Sequence, residues 1–342
     1  MEHIGIDLGS RDSQVCIRNG AGEIVEEMRC QTDRLVALLA RRAPARVVVE
    51  TCTEAFRIAG RAQQRGHDVR VVAATLVRAL GVGQRGLKND QRDARTLSEA
   101  SCRIELPSVH IPSSVSQEVK AICVSREALI KARTQLVSRV RSYVRSRLGQ
   151  PMRATPESLP KKVRRTLLQD AEGLPAHLDR LLVALETLSE QIAGADAELK
   201  ELAAEDARMR RLMTVPGVGP VTAARFVAAI DHVERFPNAS SVASYLGLVP
   251  GEDTTGFRIK RKRLTRAGAP QVRWALGQAA WSLYLRRPED PMVQWAKRIA
   301  ERRGAPVAIT ALARKLSHVL FAMWKHETTY DPARSARAIV AA

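Results

Sequence analysis

The chain has 342 residues, 45% of them apolar, which is long enough for two or three domains with real cores and excludes a disordered tail. Lys and Arg number 55 against 36 Asp and Glu, a net charge of +19. A surplus of that size repels itself unless a polyanion offsets it, and nucleic acid is the partner it points to. The five cysteines, Cys16, Cys30, Cys52, Cys102 and Cys123, form no Cys-x-x-Cys pair. That argues against a disulfide framework or a zinc ribbon and fits a reducing, cytoplasmic compartment. Met1-Glu2-His3 lacks the pattern of a signal peptide, and the nearly apolar run at 71–83 is interrupted by Arg78 and too short for a bilayer. No membrane is expected.

"HIGIDLG" and "SQVCIRN" read as strands, Gly20-Ala21-Gly22 as a turn, and "EIVEEMRC" as a third strand pairing back. "TDRLVALLARRA" predicts a helix with Thr32 as its N-cap. "ARVVVE" is a short buried strand ending in Glu50, "TEAFRIAGRAQQRG" a helix stopped by Gly66, and "HDVRVVAA" a fifth strand. A three-strand meander followed by helix, strand, helix, strand, helix is, by analogy, the order of an α/β ribonuclease-H-like domain.

Beyond Pro112 the pattern turns helical, with a possible capping box at Ser114-x-x-Gln117. The next helix carries Lys120, Arg126, Lys131, Arg133, Arg139, Arg141, Arg145 and Arg147 opposite Val119, Ile122, Leu129, Leu136, Val140 and Leu148. One face can pack while the other stays basic. After a break at 149–160, Leu178, Leu181, Leu185, Leu188, Ile192, Ala195, Leu199 and Leu202 form an a/d seam of about three and a half heptads. Such a seam suits an antiparallel hairpin with the basic helix, a dimer zipper, or a packed helix inside one domain. A third region, from Met209 onward, is helical and basic. The chain thus divides into 1–108, a linker of basic helix and coiled-coil hairpin at 109–205, and a mostly α region at 206–342.

Four carboxylates stand out: Asp7 in the first strand, Glu50 ending a strand beside it in this topology, and Asp90 and Asp93 in "KNDQRDAR". The last two are three apart on a predicted helix, so both point from one face. Hard oxygen ligands converging from two strands and a helix suit Mg²⁺, and two such ions about 4 Å apart assist phosphodiester chemistry. Taken singly, each acid reads more readily as a cap or turn residue; the four together, on a chain of +19, do not read as an accident. "IGIDLGS" also matches the phosphate loop of actin-like ATPases, but the chain has no second Asp-Gly hairpin and no adenosine pocket signature. "GVGQRG" at 81–86 fits G-x-G-x-x-G but follows a helical stretch and opens no βαβ unit, so it fails as a dinucleotide fingerprint.

"LMTVPGVGPVTAARFVAAI" fits a helix-hairpin-helix pattern, in which Gly217 and Gly219 let backbone N–H groups approach a phosphate; the alternative is a tight turn between packed helices. "FRIKRKRLTRAG" concentrates Arg258, Lys260, Arg261, Lys262, Arg263 and Arg266, dense enough to favour phosphate over a merely solvated charge run. Upstream, Thr254, Thr255 and Gly256 place hydroxyls on a glycine-flanked loop, although most such threonines only shape turns. His232, His318 and His326 are scattered and offer no zinc site or triad.

These stretches together resemble the DEDD-type insertion-sequence transposases of insertion-sequence family one-ten, with its eleven-eleven branch. "IGIDLGSRDSQV", "VVVETCTEAF" and "LKNDQRDARTLSE" resemble the strands and helix of its RuvC-like domain. "VPGVGPVTAARFVAAI", "FPNASSVASYLGLVP" and "RLTRAGAPQVRWALGQAAW" resemble its C-terminal transposase domain. The resemblance implies a DNA recombinase that moves its own element, with Mg²⁺ held by Asp7, Glu50, Asp90 and Asp93. It also implies a nucleophilic serine five residues after the proline of a GLxP motif, a covalent protein–DNA link, a structured guide RNA pairing with donor and target DNA, and a homodimer that becomes a tetramer in the synapse. At the nucleophile position this chain departs, because Pro250 plus five is Thr255. Its β-methyl crowds the hydroxyl and restricts χ1. Thr254 and the serines Ser240, Ser241 and Ser244 are the alternatives. Two other classes remain open: a metal-only Holliday-junction-type nuclease and a non-catalytic nucleic-acid-binding protein.

Overall fold

The computed structural model describes residues 1–79, 90–169, 173–255 and 258–334, divided into two units, Met1–Ser113 and Ser114–Ala342. The "GVGQRG" stretch lies outside the described residues.

In the first unit, β1 (His3–Asp7), β2 (Asp12–Arg18) and β3 (Ile24–Gln31) form an antiparallel meander. β4 (Arg46–Glu50) pairs parallel to β1, and β5 (Asp68–Val72) parallel to β4, giving the order β3-β2-β1-β4-β5. This mixed sheet is consistent with the ribonuclease-H-like order expected from the sequence. The central strands are apolar on both faces because both are covered. Val47 and Val49 pack with α1 (Leu35–Ala40) and α2 (Ala55–Gln63) through Leu35, Leu39 and Ile58. Val48, one residue out of phase, meets α3 (Ala74–Ala79) and α4 (Asp90–Arg103) through Val77 and Leu97.

Two local expectations are corrected. Thr32 does not cap the first helix: residues Thr32–Arg34 form a 3₁₀ turn and α1 starts at Leu35. The Thr32 hydroxyl is committed elsewhere, 2.7 Å from Ser13 Oγ and 2.8 Å from the Gly9 carbonyl it donates to, which ties the helix entry to the start of β2. Gly66 does end the α2 segment, at φ +85°, where a side chain is strained.

The second unit begins with α5 (Ser114–Leu148) and α6 (Leu159–Leu167) and continues through α7 (Ala176–Glu205), α8 (Ala207–Leu212), α9 (Pro220–Ile230) and α10 (Ala239–Tyr245). A hairpin follows, β6 (Pro250–Thr255) against β7 (Arg258–Leu264), then α11 (Pro270–Arg286), α12 (Pro291–Arg303) and α13 (Ala305–Lys325). α5 and α7 run antiparallel. Val119 and Cys123 of α5 share a core with Leu199 and Ala203, while Val137, Val140 and Val144 share another with Leu178, Leu182 and Leu185. In the heptad seam, Leu178, Leu185, Ile192 and Leu199 are buried, whereas Leu181 and Leu202 are only partly covered and Leu182 and Ala203 are buried in their place. The first of those two cores also contains Phe226, Leu276, Leu316 and Trp324, so the segment expected as a linker is part of the C-terminal core.

The β-hairpin is a correction to a region read as a loop followed by a basic strip. Its strands are mostly polar and charged, so no apolar alternation announced them. α13 is long and apolar enough to cross a membrane by length and composition alone. Its apolar side is instead the centre of this core: Leu312, Leu316, Leu320, Phe321 and Trp324 are buried by the protein itself.

Candidate active site

Asp7 is the last residue of β1 and Glu50 the last of β4, and the parallel register pairs Ile6 with Val49 immediately before them. Neighbouring strands lie about 4.8 Å apart, so the two carboxylates leave the same edge of the sheet side by side. α4 lies antiparallel to β1. His3 Nδ1 is 2.8 Å from Ser101 Oγ, and two residues along the strand Gly5 meets the helix backbone at Ala94 and Ser98. A Cβ on Gly5 would stand 2.3 Å from the Ala94 carbonyl oxygen and 2.4 Å from Ser98 N, so only glycine allows this approach. The next turn toward the helix N-terminus, carrying Asp90 and Asp93, therefore lies on the Asp7 side.

The two aspartates of that turn differ in exposure. Asp93 is 7% exposed, and Asp90, the first residue of α4, is exposed. Arg95 anchors the helix to β3 with Nη2 2.6 Å from Glu27 Oε2, and this guanidinium holds the Glu27 carboxyl below the usual carboxylate range. Across the sheet Arg18 donates to Ser98 Oγ at 3.2 Å. An all-carboxylate donor set from two strand ends and one helix is the chemistry of a hard divalent cation. Among the described residues, however, no three His, Cys, Asp or Glu side chains are gathered closely enough to form a ligand cluster. The backbone brings the acids to one edge of the sheet.

The candidate nucleophile belongs to the second unit. Thr254 pairs with Ile259 and Thr255 with Arg258 at the far end of the β6–β7 hairpin. The base of the hairpin is held by backbone packing. Gly247, at φ +69°, would put a Cβ 2.1 Å from the Ala267 carbonyl oxygen, and Gly268, at φ +75°, would put one 2.1 Å from that of Tyr245. Arg273 then bridges both feet, donating from Nη1 to the carbonyls of Leu246 at 3.1 Å and Ala267 at 2.6 Å. Burial, and after it the neighbouring Arg266, lowers the pKa of this guanidinium. Sequence reasoning missed Arg273; its only signal was its place three residues after Pro270, on the first turns of α11. Ser240, Ser241 and Ser244 lie on α10, away from the hairpin in sequence and in a different element.

Among the residues expected to bind nucleic acid, Arg139, Arg141 and Arg145 are exposed on α5 and Arg147 is half-buried. Arg141 also donates to the Ala154 carbonyl at 2.7 Å. Arg258, Lys260 and Arg261 lie on β7 beside Lys262 and Arg263. Lys262 is paired with Asp253 at 2.8 Å, and Arg266 is exposed with φ +54°. Gly217 has a packing role: at φ +89° it faces α11, where a Cβ would meet the Ala279 carbonyl oxygen at 2.6 Å. Gly219 has open space around it and immediately precedes α9. α9 itself is buried on nearly every side, including Arg225, which donates to Glu127 at 2.9 Å.

A mixed sheet with carboxylates at one edge, in one chain with a strongly basic helical region, suits a protein that acts on phosphodiesters. The model described as "Transposase" of the DEDD, IS110 type matches residues 4–147. The model described as "Transposase IS116/IS110/IS902 family" matches residues 209–294. The chain is 28% identical to a "Probable family 20 transposase" of Pseudomonas aeruginosa over 97% of its own length and 99% of that protein. It is 27% identical to the "Transposase for insertion sequence element IS1328" of Yersinia enterocolitica, over 96% of this chain and 98% of the relative. To the "Transposase for insertion sequence element IS1111A" of Coxiella burnetii it is 25% identical, over 96% and 90%. The chain belongs to the IS110 family of insertion-sequence transposases, and its activity class is DNA transposition.

Proposed function

We propose that the chain is a Mg²⁺-dependent recombinase that cuts and rejoins donor and target DNA through a covalent link on Thr255. The observation that supports this most directly is the arrival of Asp7, Glu50 and the Asp90–Asp93 turn at one sheet edge. When bound there, Mg²⁺ would neutralise charge on the scissile phosphate. Asp7, Glu50, Asp90 and Asp93 would hold and orient that ion. Thr255 Oγ1 attacks phosphorus in line; the Oγ1–P bond forms, the P–O3′ bond breaks, and the hydroxyl proton ends on the departing 3′ oxygen. The phosphodiester energy stays in the threonyl link, so a 3′-hydroxyl of another strand can reverse the step without an external cofactor.

Arg139, Arg141, Arg145, Arg147, the Gly217–Gly219 turn read as a helix-hairpin-helix, and the β7 cations would hold phosphates without regard to sequence. The α5–α7 pair would serve as a coiled coil for subunit assembly, as a homodimer on each DNA and a tetramer in the synapse. A structured guide RNA would supply target choice, and the reaction would take place in the cytoplasm. One observation favours a second reading, a metal-only nuclease that uses water: the residue five after Pro250 is threonine where the family has serine.

The test mixes protein, the RNA encoded beside its element, Mg²⁺ and end-labelled donor DNA, followed by denaturation. A protein–DNA adduct lost in Thr255→Ala and kept in Thr254→Ala is the expected result. Cleavage with no adduct would replace this reading with the nuclease. Binding with neither, for RNA and target known to be correct, would leave a non-catalytic binding protein.

A further inference from the structure

A cavity of about 600 Å³ opens in the second unit between α10, α13 and the segment that follows α13. It is unrelated in chain position to the acids and to the hairpin, and it falls in the size range of small-molecule sites. Its walls are of two kinds. Val319, Ala322 and Met323 of α13 supply carbon surface, and Tyr330 supplies a ring whose hydroxyl donates to the buried Asp290 at 2.7 Å. That bond fixes the aromatic wall in place.

The polar part is cationic. Arg314, Lys315 and Arg334 line the cavity beside His318 and His326, against Asp331 as the one carboxylate among the described residues. Burial, followed by the fields of Arg314 and Lys315, pushes the His318 pKa down, and burial does the same to Lys315. The His318 ring is therefore neutral near pH 7. Its Nε2 is shielded from solvent and has no hydrogen-bond partner among the described residues. A shielded polar atom with no partner costs free energy.

We propose that this cavity is a nucleotide-binding site. A planar base lies against Tyr330 and Met323, with the His318 ring in the same wall, while its phosphate rests on Arg314, Lys315 and Arg334. The flat apolar wall distinguishes this chemistry from a bare anion site, because an inorganic anion uses only the cations. Free nucleotide and a nucleotide turned out of a strand offer the same groups. The strand case rests on the reading of the chain as a DNA-processing enzyme.

The experiment uses the full-length protein and two variants that keep every cation of the cavity. Ala322→Trp fills the space from an exposed position of α13, and His318→Leu changes the shape and polarity of the wall; thermal melts confirm that both remain folded. One arm titrates AMP carrying a fluorescent ribose tag, with inorganic phosphate as competitor. The other titrates a single-stranded oligonucleotide containing one 2-aminopurine. Saturable AMP binding that weakens about tenfold in both variants assigns the site to free nucleotide. No AMP binding, with oligonucleotide affinity and the 2-aminopurine signal falling about tenfold in both variants, assigns it to a strand nucleotide. Phosphate competing as well as AMP overturns the base pocket. Unchanged oligonucleotide binding in both variants, with no AMP binding, overturns the site while leaving the DNA-processing function intact.

Discussion

Gly5 and Asp93 carry the first predictions, at the scale of single residues. The backbone of α4 occupies the space a Gly5 side chain would need, with the nearest atom at 2.3 Å and belonging to the main chain. Gly5→Ala should therefore lower stability by roughly 1–3 kcal/mol, read as a lower melting temperature, and shift the Asp93 turn away from Asp7. A variant that melts like the parent would refute the close approach. Asp93→Asn keeps the shape of a buried side chain and removes its charge. DNA cleavage is expected to fall at least a hundredfold while DNA binding stays within about twofold, because the phosphate contacts lie elsewhere. Gel shifts alongside cleavage assays separate the two. Thr255 is the residue at which the sequence departs from its family, and the adduct test above decides its role.

At the scale of elements, Asp206 joins α7 to α8. Its Oδ1 accepts from the backbone N–H of Arg208 at 2.7 Å and of Met209 at 3.3 Å, as an N-cap. Burial raises its pKa, but the Arg208 guanidinium and these N–H groups outweigh burial, and the net shift is downward from 3.8. A folded pKa below the unfolded one stabilises fully above pH 3.8 and loses that contribution as pH falls below it. Asp206→Ala should cost about 1 kcal/mol near neutral pH, and melting curves of parent and variant should converge under acid. A cost that persists at the lowest pH would place the effect outside the carboxylate. Arg225 of α9 is 6% exposed and held by Glu127 of α5, beneath the Trp274 ring at 6.0 Å. Glu127→Ala leaves a buried cation uncompensated and should cost roughly 3 kcal/mol by chemical denaturation. Adding Arg225→Met should recover much of it; a fully additive double variant would show that the pair is not coupled.

For the molecule as a whole, the net charge of +19 dominates. Non-specific DNA affinity should fall linearly in log units with log salt concentration, at about 0.9 per phosphate neutralised. Replacing Arg139 and Arg145 together should reduce that slope by about two while leaving sequence preference unchanged. A salt-independent affinity would contradict the polyanion reading. Each unit has cores of its own, with Ile4, Ile6 and Val49 in one and Phe226, Leu316 and Trp324 in the other.

What the sequence determined by itself follows from short-range physics. Apolar strands ending in Asp7 and Glu50, the glycine stop at Gly66 and the seven-residue row at Leu178, Leu185, Ile192 and Leu199 are local patterns, and the structure contains each of them. The family resemblance rested on motifs of the same local kind. Only tertiary structure decided the rest, because the partners are distant in the chain. Thr32 gave up its cap for Ser13 and Gly9; Gly217 answered to α11; Arg273 closed the feet of a hairpin too polar for its alternation to be seen. Spacing put the two aspartates of α4 on one face; the packing of the helix on Gly5 buried one and left the other exposed. A nucleotide-sized cavity formed by α10, α13 and the segment after it has no signature in any one of those stretches, since cavities are made by the distances between elements.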